Sequence, residues 1–352
     1  MYAHALGMAQ EVDIEIQRAV EEKLSEYAPE ERVQVIEAIR AILDKALFEA
    51  SVDIPDMACP ACGYTECIRY GTTGKGTPRW QCRSCGKVRC HVETGTLMAN
   101  TKLDRDVWMA YAECFVDHLS SYKVAKRIGV TKKTAWFMRI RTLEALFENL
   151  PSFEVKAGNG VQLDELYFRE SFKGIRFDTM ENAPREPRRD SGGCPKGISN
   201  DKICVITGYN DTGDFFFDVA CRGALTNDIA RASLQGRIGA GAIVNTDLHR
   251  AFPRVMRELS AEHIAIDADR HENLSGIDHI HGDIRTFMAP FRGVSTKWLH
   301  LYLAWYKWLR CYGDSAASAL RQMVRGDYTH TWRAIGEMGS PFRDRMMNPT
   351  KC

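Results

Sequence analysis

The chain has 352 residues, of which 45% are hydrophobic and 26% are charged, and its formal net charge is +1. These are ordinary values for a globular protein with room for two or three domains. The sequence has no apolar run long enough to cross a bilayer and no secretion signal, so we expect a cytoplasmic protein that does not bind membranes. The twelve cysteines therefore favour metal binding and reduced thiols over a disulfide framework.

Charge is distributed unevenly along the chain. Residues 1–50 hold eleven acidic and five basic residues, and apolar residues recur there at helical spacing. We predict a helical N-terminal region, residues 1–52, that packs on its neighbour or on a second subunit and carries no chemistry. By contrast, Ser121 to Arg141 holds seven basic and no acidic residues. This basic block can bind phosphate although the whole chain is nearly neutral.

Residues 53–100 contain two CxxC pairs. Cys59 and Cys62 form the first pair, Cys82 and Cys85 form the second, and nineteen residues separate the pairs. Each pair can supply two thiolates from a tight turn, and together they complete the tetrahedral set of ligands that structural Zn²⁺ prefers. The sequence therefore predicts a zinc ribbon with these four cysteines as ligands.

Residues 101–150 predict a helix-turn-helix. Ala125 and Gly129 stand four residues apart, as small residues do where two helices meet at a permissive turn, and Thr131 suits the N-cap of the second helix. In such modules the N-terminal residues of the second helix reach base edges in the major groove. We therefore predict DNA contacts from Lys126, Arg127, Lys132, Lys133 and Thr134. The alternative is a helical linker with a solvated basic face.

Acidic residues interrupt two apolar strands in residues 158–312. "VQLDELYF" (Val161 to Phe168) reads as a buried strand that carries Asp164, and "GAIVNTDLHRAF" reads as a strand that ends on Asp247. A third carboxylate, Asp278, follows on a predicted helix. A buried carboxylate needs a partner, and oxygen ligands are what Mg²⁺ and Mn²⁺ prefer. The pattern is typical of a two-metal site for phosphoryl transfer.

The order of the predicted elements indicates the fold of this region. The "VQLDELYF" strand is followed by a predicted hairpin of two strands, "ICVITGYN" (Ile203 to Asn210) and "DFFFDVAC" (Asp214 to Cys221). A helix, a strand, a helix, a strand and further helices come after these three strands. This order is typical of an α/β, ribonuclease-H-like domain with a mixed sheet, preceded here by the zinc ribbon and the helix-turn-helix. Residues 173–201 are predicted to form a basic loop beside the active site or an insertion without a role. The aromatic stripe that includes Trp298, Tyr302 and Trp305 is predicted to be core, and residues 313–352 form a tail of unassigned role.

These motifs resemble those of bacterial insertion-sequence transposases of the DDE superfamily, in the group with an N-terminal zinc ribbon. The resemblance covers residues 59–309 and rests on the CxxC pairs, "LDELYF", "NTDLHRAF" and "DHIHGDIRTFMAPFRGVSTKWLHLYLAWYKWL". The family's third position is usually asparagine, glutamate or histidine, with a basic residue seven positions later. Here Asp278 occupies that position and Arg285 follows it.

The resemblance implies an enzyme that cuts and rejoins DNA at terminal inverted repeats with magnesium or manganese. Asp164, Asp247 and Asp278 are then the metal ligands, and the partners are the repeats and target DNA, bound by a homo-oligomer. Asp278, His281 and Arg285 share one face of a helix, whereas Asp283 points away from that face. We expect His281 near the scissile phosphate, or simply packed in the helix, and Arg285 at the DNA backbone.

Two other functions fit the same residues. One is a hydrolytic nuclease of the same fold that cuts DNA without joining it. The other is a transposase-derived DNA-binding protein whose catalytic site is silent.

Overall fold

The structure is a computed structural model, and it divides into two compact units, Met1–Thr94 and Gly95–Cys352. The residues that it describes are 22–28, 31–32, 35–36, 59, 61–74, 78–89, 97–98, 101–173, 197–267 and 274–312. Most of the predicted N-terminal helical region, most of the predicted basic loop and the tail lie outside these residues. Among the helices that are described, none is long and apolar enough to span a membrane.

The first unit contains a small antiparallel sheet. Its strands are β1 (Cys67–Thr72), β2 (Pro78–Cys82) and β3 (Val88–Arg89), in that spatial order. Cys67 lies opposite Cys82 across the β1–β2 pair. The sheet brings the end of β2, where the second CxxC pair begins, next to the start of β1.

Three helices open the second unit: α1 (Arg105–Val116), α2 (Ser121–Ile128) and α3 (Lys132–Asn149). The hydroxyl of Ser120 accepts a hydrogen bond from the Lys123 N–H and so caps α2. Gly129 ends α2 with a φ of 71°, a conformation that glycine adopts without steric cost. The hydroxyl of Thr131 accepts from the Thr134 N–H at 3.1 Å, which confirms the predicted N-cap of α3.

A five-stranded mixed sheet forms the centre of this unit. Its strands are β4 (Gly160–Arg169), β5 (Lys202–Asn210), β6 (Phe215–Arg222), β7 (Ile243–Thr246) and β8 (Glu262–Ala265). Their spatial order is β6-β5-β4-β7-β8; β4, β5 and β6 pair antiparallel, whereas β7 and β8 join β4 in parallel. The first strand thus lies at the centre and the order is 3-2-1-4-5, which confirms the predicted ribonuclease-H-like α/β class.

Helices cover both faces of the sheet. They are α4 (Asn227–Leu234), α5 (Phe252–Glu258), α6 (Ser275–Met288) and α7 (Leu299–Tyr312), with 3-10 turns at Ala289–Phe291 and Thr296–Trp298. Val161 and Leu163 of β4 belong to the core beneath α4 and α5, with Phe252 of α5. Because side chains alternate along a strand, Gln162 and Asp164 face α6 instead.

Helix α7 lies between α3 and β6 and contacts both. The ring of Phe115 from α1 stacks on Trp305 with centroids 4.5 Å apart, and Phe215 of β6 lies 5.7 Å from Tyr306. The predicted core role is confirmed for Tyr302 and Trp305, but burial is not confined to one stripe. Every residue from 299 to 308 is buried, because this helix is covered by other helices on one side and by the sheet on the other.

Candidate active site

The first two predicted ligands meet at the edge where β7 ends. Leu163 of β4 pairs with Thr246, the last residue of β7, so Asp164 lies one step beyond that pair beside Asp247. Glu165 follows on the other face of β4. One carboxylate oxygen from each of Asp164, Glu165 and Asp247 lies within 4.8 Å of the others. The strand register therefore gathers three carboxylates, and sequence analysis had identified two of them.

The cluster is electrostatically unfavourable without a cation. Burial and the charges of Asp247 and Asp164 raise the pKa of Glu165 from 4.5 to about 8. Burial, together with the charges of Asp247 and Asp278, raises the pKa of Asp164 from 3.8 to about 6. Carboxylates at such close range resist simultaneous ionisation, and a divalent cation relieves that repulsion.

The carboxylates fit a hard metal ion. Glu165 Oε1 is buried and accepts no hydrogen bond from the residues that the structure describes. His249 Nδ1 lies 3.3 Å from this oxygen. The same nitrogen accepts a hydrogen bond from the Ala251 N–H, also at 3.3 Å. An unsatisfied buried carboxylate oxygen next to two further carboxylates is the donor set that Mg²⁺ or Mn²⁺ prefers.

Backbone N–H groups and one histidine orient the two aspartates. The N–H of Glu165 donates to Asp164 Oδ1 at 2.7 Å, and the N–H of His249 donates to Asp247 Oδ1 at 2.9 Å. His281 of α6 is buried with Nδ1 3.5 Å from Asp164 Oδ2 and Nε2 3.0 Å from the Thr207 hydroxyl. Thr207 is the direct cross-strand partner of Asp164. The aspartate is thus held from its own strand, from β5 and from α6.

Burial and the nearby charge of Arg285 lower the pKa of His281 to about 4. The ring is therefore neutral at pH 7 and carries a single N–H. With a carboxylate at Nδ1, the favourable tautomer donates from Nδ1 and accepts the Thr207 hydroxyl at Nε2. In this arrangement His281 fixes the orientation of the Asp164 carboxylate.

Helix α6 is docked onto β4 by a strand side chain. Gln162 Oε1 accepts the N–H of Ile277 at 3.1 Å, in the first turn of α6. A Cβ on Gly276 would lie 2.5 Å from the ring of Tyr209, so only glycine allows this close approach. Two residues of this joint, Gln162 and Gly276, therefore fix the height of α6 above the carboxylates.

The remaining predicted residues of α6 occupy different positions. Asp278 is exposed and does not belong to the cluster of three carboxylates, but its charge raises the pKa of Asp164, whereas that of Arg285 lowers it. Both charges are therefore close to the cluster. Asp283 faces α7, where its Oδ2 accepts from the Tyr306 hydroxyl at 3.3 Å.

The four predicted zinc ligands lie together in the first unit. Their sulfur atoms lie within 4.8 Å of one another, with 3.7 Å between Cys59 and Cys85 and 3.6 Å between Cys62 and Cys82. Four sulfurs at about 2.3 Å from one zinc ion stand roughly 3.8 Å apart, whereas a disulfide needs about 2.05 Å. The set fits tetrahedral zinc and excludes disulfide bonds between these two pairs.

Glycines shape both zinc turns. Gly63 and Gly86 follow the two pairs with φ values of 73° and 70°. The N–H of Gly63 donates to the Cys59 carbonyl at 2.7 Å, and that of Gly86 to the Cys82 carbonyl at 3.0 Å. Backbone N–H groups of Cys85 and Ser84 lower the pKa of the Cys82 thiol, which favours the thiolate that a metal needs.

The predicted DNA-binding residues separate into two environments. Lys126, Lys132 and Lys133 are exposed, and Lys132 and Lys133 form the first turn of α3. Thr134 engages the capping hydroxyl of Thr131 with its N–H and its own hydroxyl. Arg127 instead pairs with Asp117 at 3.0 Å and with Glu113 at 3.3 Å, so its charge is largely offset within the helical unit.

Three residues of this site were not predicted from the sequence. Glu165 could have been found from the adjacent acidic pair in "LDELYF", because Asp247 lies just past the end of β7 and can meet side chains from both faces of β4. Gln162 and Thr207 carry no sequence signal of their own. Their roles depend on the docking of α6 and on the register of β4 with β5.

Comparison with known proteins gives only remote likenesses. No known protein family matches the chain, and no curated protein sequence matches it. A structure of a simian T-cell lymphotropic virus intasome with PP2A regulatory subunit B56 gamma is 12% identical, over 63% of this chain and 76% of that one, with a TM-score of 0.28. A Mos1 transposase paired-end complex with the left transposon end is 14% identical, over 64% and 76%, also with a TM-score of 0.28. A pre-cleavage Mos1 transpososome is 11% identical, over 66% and 82%, with a TM-score of 0.19.

Proposed function

We propose that this chain is a DDE-type transposase that binds the ends of a mobile DNA element and catalyses metal-dependent cleavage and strand transfer. One observation carries the proposal. Asp164, Glu165 and Asp247 present oxygens within 4.8 Å of one another on the central strands of a sheet with ribonuclease-H strand order. Of the motifs in this domain, "LDELYF" lies on β4, "NTDLHRAF" runs from the end of β7 to the start of α5, and the third begins on α6 and continues into α7.

Asp164 and Asp247 are the proposed metal ligands, with Glu165 completing the buried side and Asp278 the exposed side. Magnesium or manganese held by these residues would activate an attacking oxygen, of water or of a 3′-hydroxyl, and would stabilise the leaving oxygen. His281 keeps the Asp164 carboxylate in place, through the 3.5 Å contact. Arg285 is exposed two turns after Asp278 and can neutralise a phosphate of the bound DNA.

The other proposed parts bind and assemble. The ribbon of Cys59, Cys62, Cys82 and Cys85 holds one structural zinc ion, and helices α2 and α3 contact the terminal repeat. The active form is a homo-oligomer on DNA, because joining the two ends of an element requires a site at each end. We propose the regional boundaries 53–100 for the ribbon, 101–150 for the helices and 158–312 for the catalytic domain.

Cleavage and joining by the full-length protein test this proposal. The substrate is a duplex that carries the inverted repeat flanking the chain's own gene, with a scrambled duplex as control. We expect Mg²⁺-dependent cleavage at the repeat end and, from a pre-cut end, joining to a second duplex. Cleavage without joining would instead identify a hydrolytic nuclease, and binding without either reaction would identify a silent derivative.

Three matched variants relate the reaction to the cluster. Asp164→Asn and Asp247→Asn preserve shape but remove a ligand charge, so we expect each to abolish cleavage while repeat binding and zinc content stay normal. Asp283→Asn is the control on the same helix as Asp278, since it faces α7. Wild-type cleavage by either cluster variant contradicts the proposed role of these carboxylates.

A further inference from the structure

A groove of about 1170 Å³ separates the start of α2 and α3 from the segment that links α6 to α7. Seven cations line it, and none of the lining residues that the structure describes is acidic. Arg139 is buried in the wall, and the other six are Lys123, Lys132 and Lys133 on the helical side, Lys173 after β4, and Arg292 and Lys297 on the linking segment. We call this surface the phosphate groove. Of these cations, only Lys132 and Lys133 were predicted from sequence to contact DNA.

The two walls of the groove are held in one rigid structure. Arg139 of α3 is buried, donates to the Leu119 carbonyl and approaches the Tyr302 hydroxyl at 3.4 Å. Its guanidinium lies 5.4 Å from the ring centre of Phe291 and 5.2 Å from that of Trp305. Because these contacts join α3 to the linking segment and to α7, the cations on both walls keep a fixed separation.

The linking segment is also fixed to the strand that carries Asp164. The N–H of Thr296 donates to the Ser171 carbonyl at 2.8 Å, and the Ser171 N–H donates to the Thr296 hydroxyl at 2.9 Å. Lys173 Nζ donates to the carbonyls of Phe291 and Gly293 at 3.3 and 3.1 Å. Arg292, between these two residues, is exposed with a φ of 50°. The turn therefore holds an arginine at the surface in a conformation that costs about 1 kcal/mol or more.

The strand that carries Asp164 leads from the carboxylates toward the groove, because Ser171, two residues after its end, bonds to the linking segment. Asp164 lies five residues before the end of β4 at Arg169, which corresponds to roughly 17 Å along a strand. That length is about half a helical turn of B-DNA. A duplex end at the carboxylates can therefore extend along the end of β4 into the groove.

The aromatic residues of the groove favour a duplex over a single strand. Trp136 and Trp298 pack edge to face with centroids 6.0 Å apart, and the Lys297 ammonium lies 4.5 Å from the Trp298 ring. Both tryptophans are half-buried, so their rings form the wall. Tyr122 also lines the groove and is exposed, but the Lys132 ammonium lies over its ring, 4.9 Å from the ring centre. Stacking of unpaired bases needs open aromatic faces, whereas a duplex backbone needs only the cations.

We propose that the phosphate groove binds the backbone of duplex DNA just inside the end on which the same chain's carboxylates act. This rests on the proposed function and adds to it a DNA path within one chain, from α3 across Arg292 and Lys297 to β4. Lys173, Arg292 and Lys297 would therefore act together with the cations of α2 and α3 to position the DNA end.

The experiment measures the salt dependence of DNA binding by the full-length protein. Fluorescence anisotropy measures the affinity for duplex DNA across a series of NaCl concentrations. The duplex has about 30 base pairs, which is far longer than the groove needs. For Arg292→Gln/Lys297→Gln we expect the slope of log affinity against log salt to fall by about 1.8, since each phosphate contact contributes about 0.9. The matched control is Lys156→Gln/Arg257→Gln, which removes two exposed cations outside the groove and should leave the slope unchanged.

Two further measurements keep the outcome decisive. The charge-preserving pair Arg292→Lys/Lys297→Arg should retain the wild-type slope, which separates loss of charge from loss of fold. Two lost contacts to a single strand would lower the slope by about 1.4, since each contributes about 0.7. The same oligonucleotide in single-stranded form should therefore show a change well below about 1.4; a change of about 1.4 or more would overturn the duplex assignment in favour of a single strand.

The outcome is also separable from that of the proposed function. If the wild-type protein cleaves its repeat end but the Gln pair keeps the wild-type duplex slope, the groove proposal is wrong and the transposase proposal stands. If the slope falls as expected while no cleavage or joining is found with any repeat end, the groove binds DNA and the catalytic proposal fails.

Discussion

Replacing Glu165 with glutamine removes a charge that the fold accommodates poorly. The folded-state pKa of Glu165 is about 8, whereas the ordinary value is 4.5. The folded chain therefore binds this proton more tightly than the unfolded chain does, and stability falls as pH rises from about 4.5 to about 8. Glutamine has the same shape and does not ionise, so Glu165→Gln should abolish this part of the pH dependence.

The size of the effect follows from the same two values. Each pH unit between them corresponds to about 1.4 kcal/mol, so at pH 7 the free energy of unfolding should be higher in the variant by roughly 3 kcal/mol. At pH 5 the difference should be below about 1 kcal/mol. The side chain is only 5% exposed, so solvent screening reduces these figures little.

Urea unfolding, followed by the fluorescence of the buried tryptophans of α7, measures the difference. The titration is run at pH 5, 6, 7 and 8, first without divalent cations and then with saturating Mg²⁺. The control is Glu154→Gln, an exposed carboxylate in the same unit. Without Mg²⁺ we expect the stability of Glu165→Gln relative to wild type to increase as pH rises, whereas Glu154→Gln should keep a constant difference from wild type.

Magnesium should narrow the difference in stability between the two proteins. Wild type gains stability because the ion binds the folded cluster and not the unfolded chain. The glutamine variant lacks one ligand charge and should gain less. If Glu165→Gln is stabilised equally at pH 5 and pH 8, Glu165 is not a destabilising charge. If the variant responds to Mg²⁺ as strongly as wild type does, Glu165 is not part of the metal site.

Three further predictions follow from the structure. Cys82→Ser should lose zinc and unfold the ribbon, since metal binding supplies much of the folding energy of so small a module; elemental analysis finding about one zinc per chain in the variant would contradict this. Asp278→Ala should abolish cleavage and Asp283→Ala should be nearly silent, as a gel assay of repeat-end cleavage in Mg²⁺ can show, and the reverse result would move the third ligand to Asp283. His281→Ala should slow cleavage without ending it, and DNA binding should stay intact. His281→Asn should recover part of the cleavage rate, because its amide can donate to Asp164. Equal single-turnover rates for the two variants would count against a positioning role of His281.

Local patterns in the sequence predicted most elements of the catalytic fold. "ICVITGYN" and "DFFFDVAC" predicted β5 and β6 to within about one residue, because a buried strand needs a continuous apolar run whatever surrounds it. The same reasoning identified Asp164 and Asp247, since a carboxylate in or at the end of such a run stands out. The N-cap at Thr131 was also legible, because a capping hydroxyl acts on a backbone N–H only three residues away.

Long-range geometry was not legible in the same way. Glu165 meets Asp164 and Asp247 because β7 ends one residue before Asp247 while β4 continues. The pairing of these two strands brings together Asp164 and Asp247, which are 83 positions apart in the sequence. His281 was expected near the scissile phosphate or packed in its helix, and its contact with Asp164 depends on how Gln162 and Gly276 dock α6 on the sheet.

The phosphate groove shows the same division. The sequence by itself determined that residues 121–141 are basic, that two strands carry aspartates and that two CxxC pairs can bind zinc, because these properties belong to single segments. Only the tertiary structure decided that Arg292 and Lys297 face the helical cations across one groove, and that Arg127 is paired with Asp117 instead. Charge and hydrophobicity are local properties of a chain, whereas the distance between two side chains is set by the packing of every element between them.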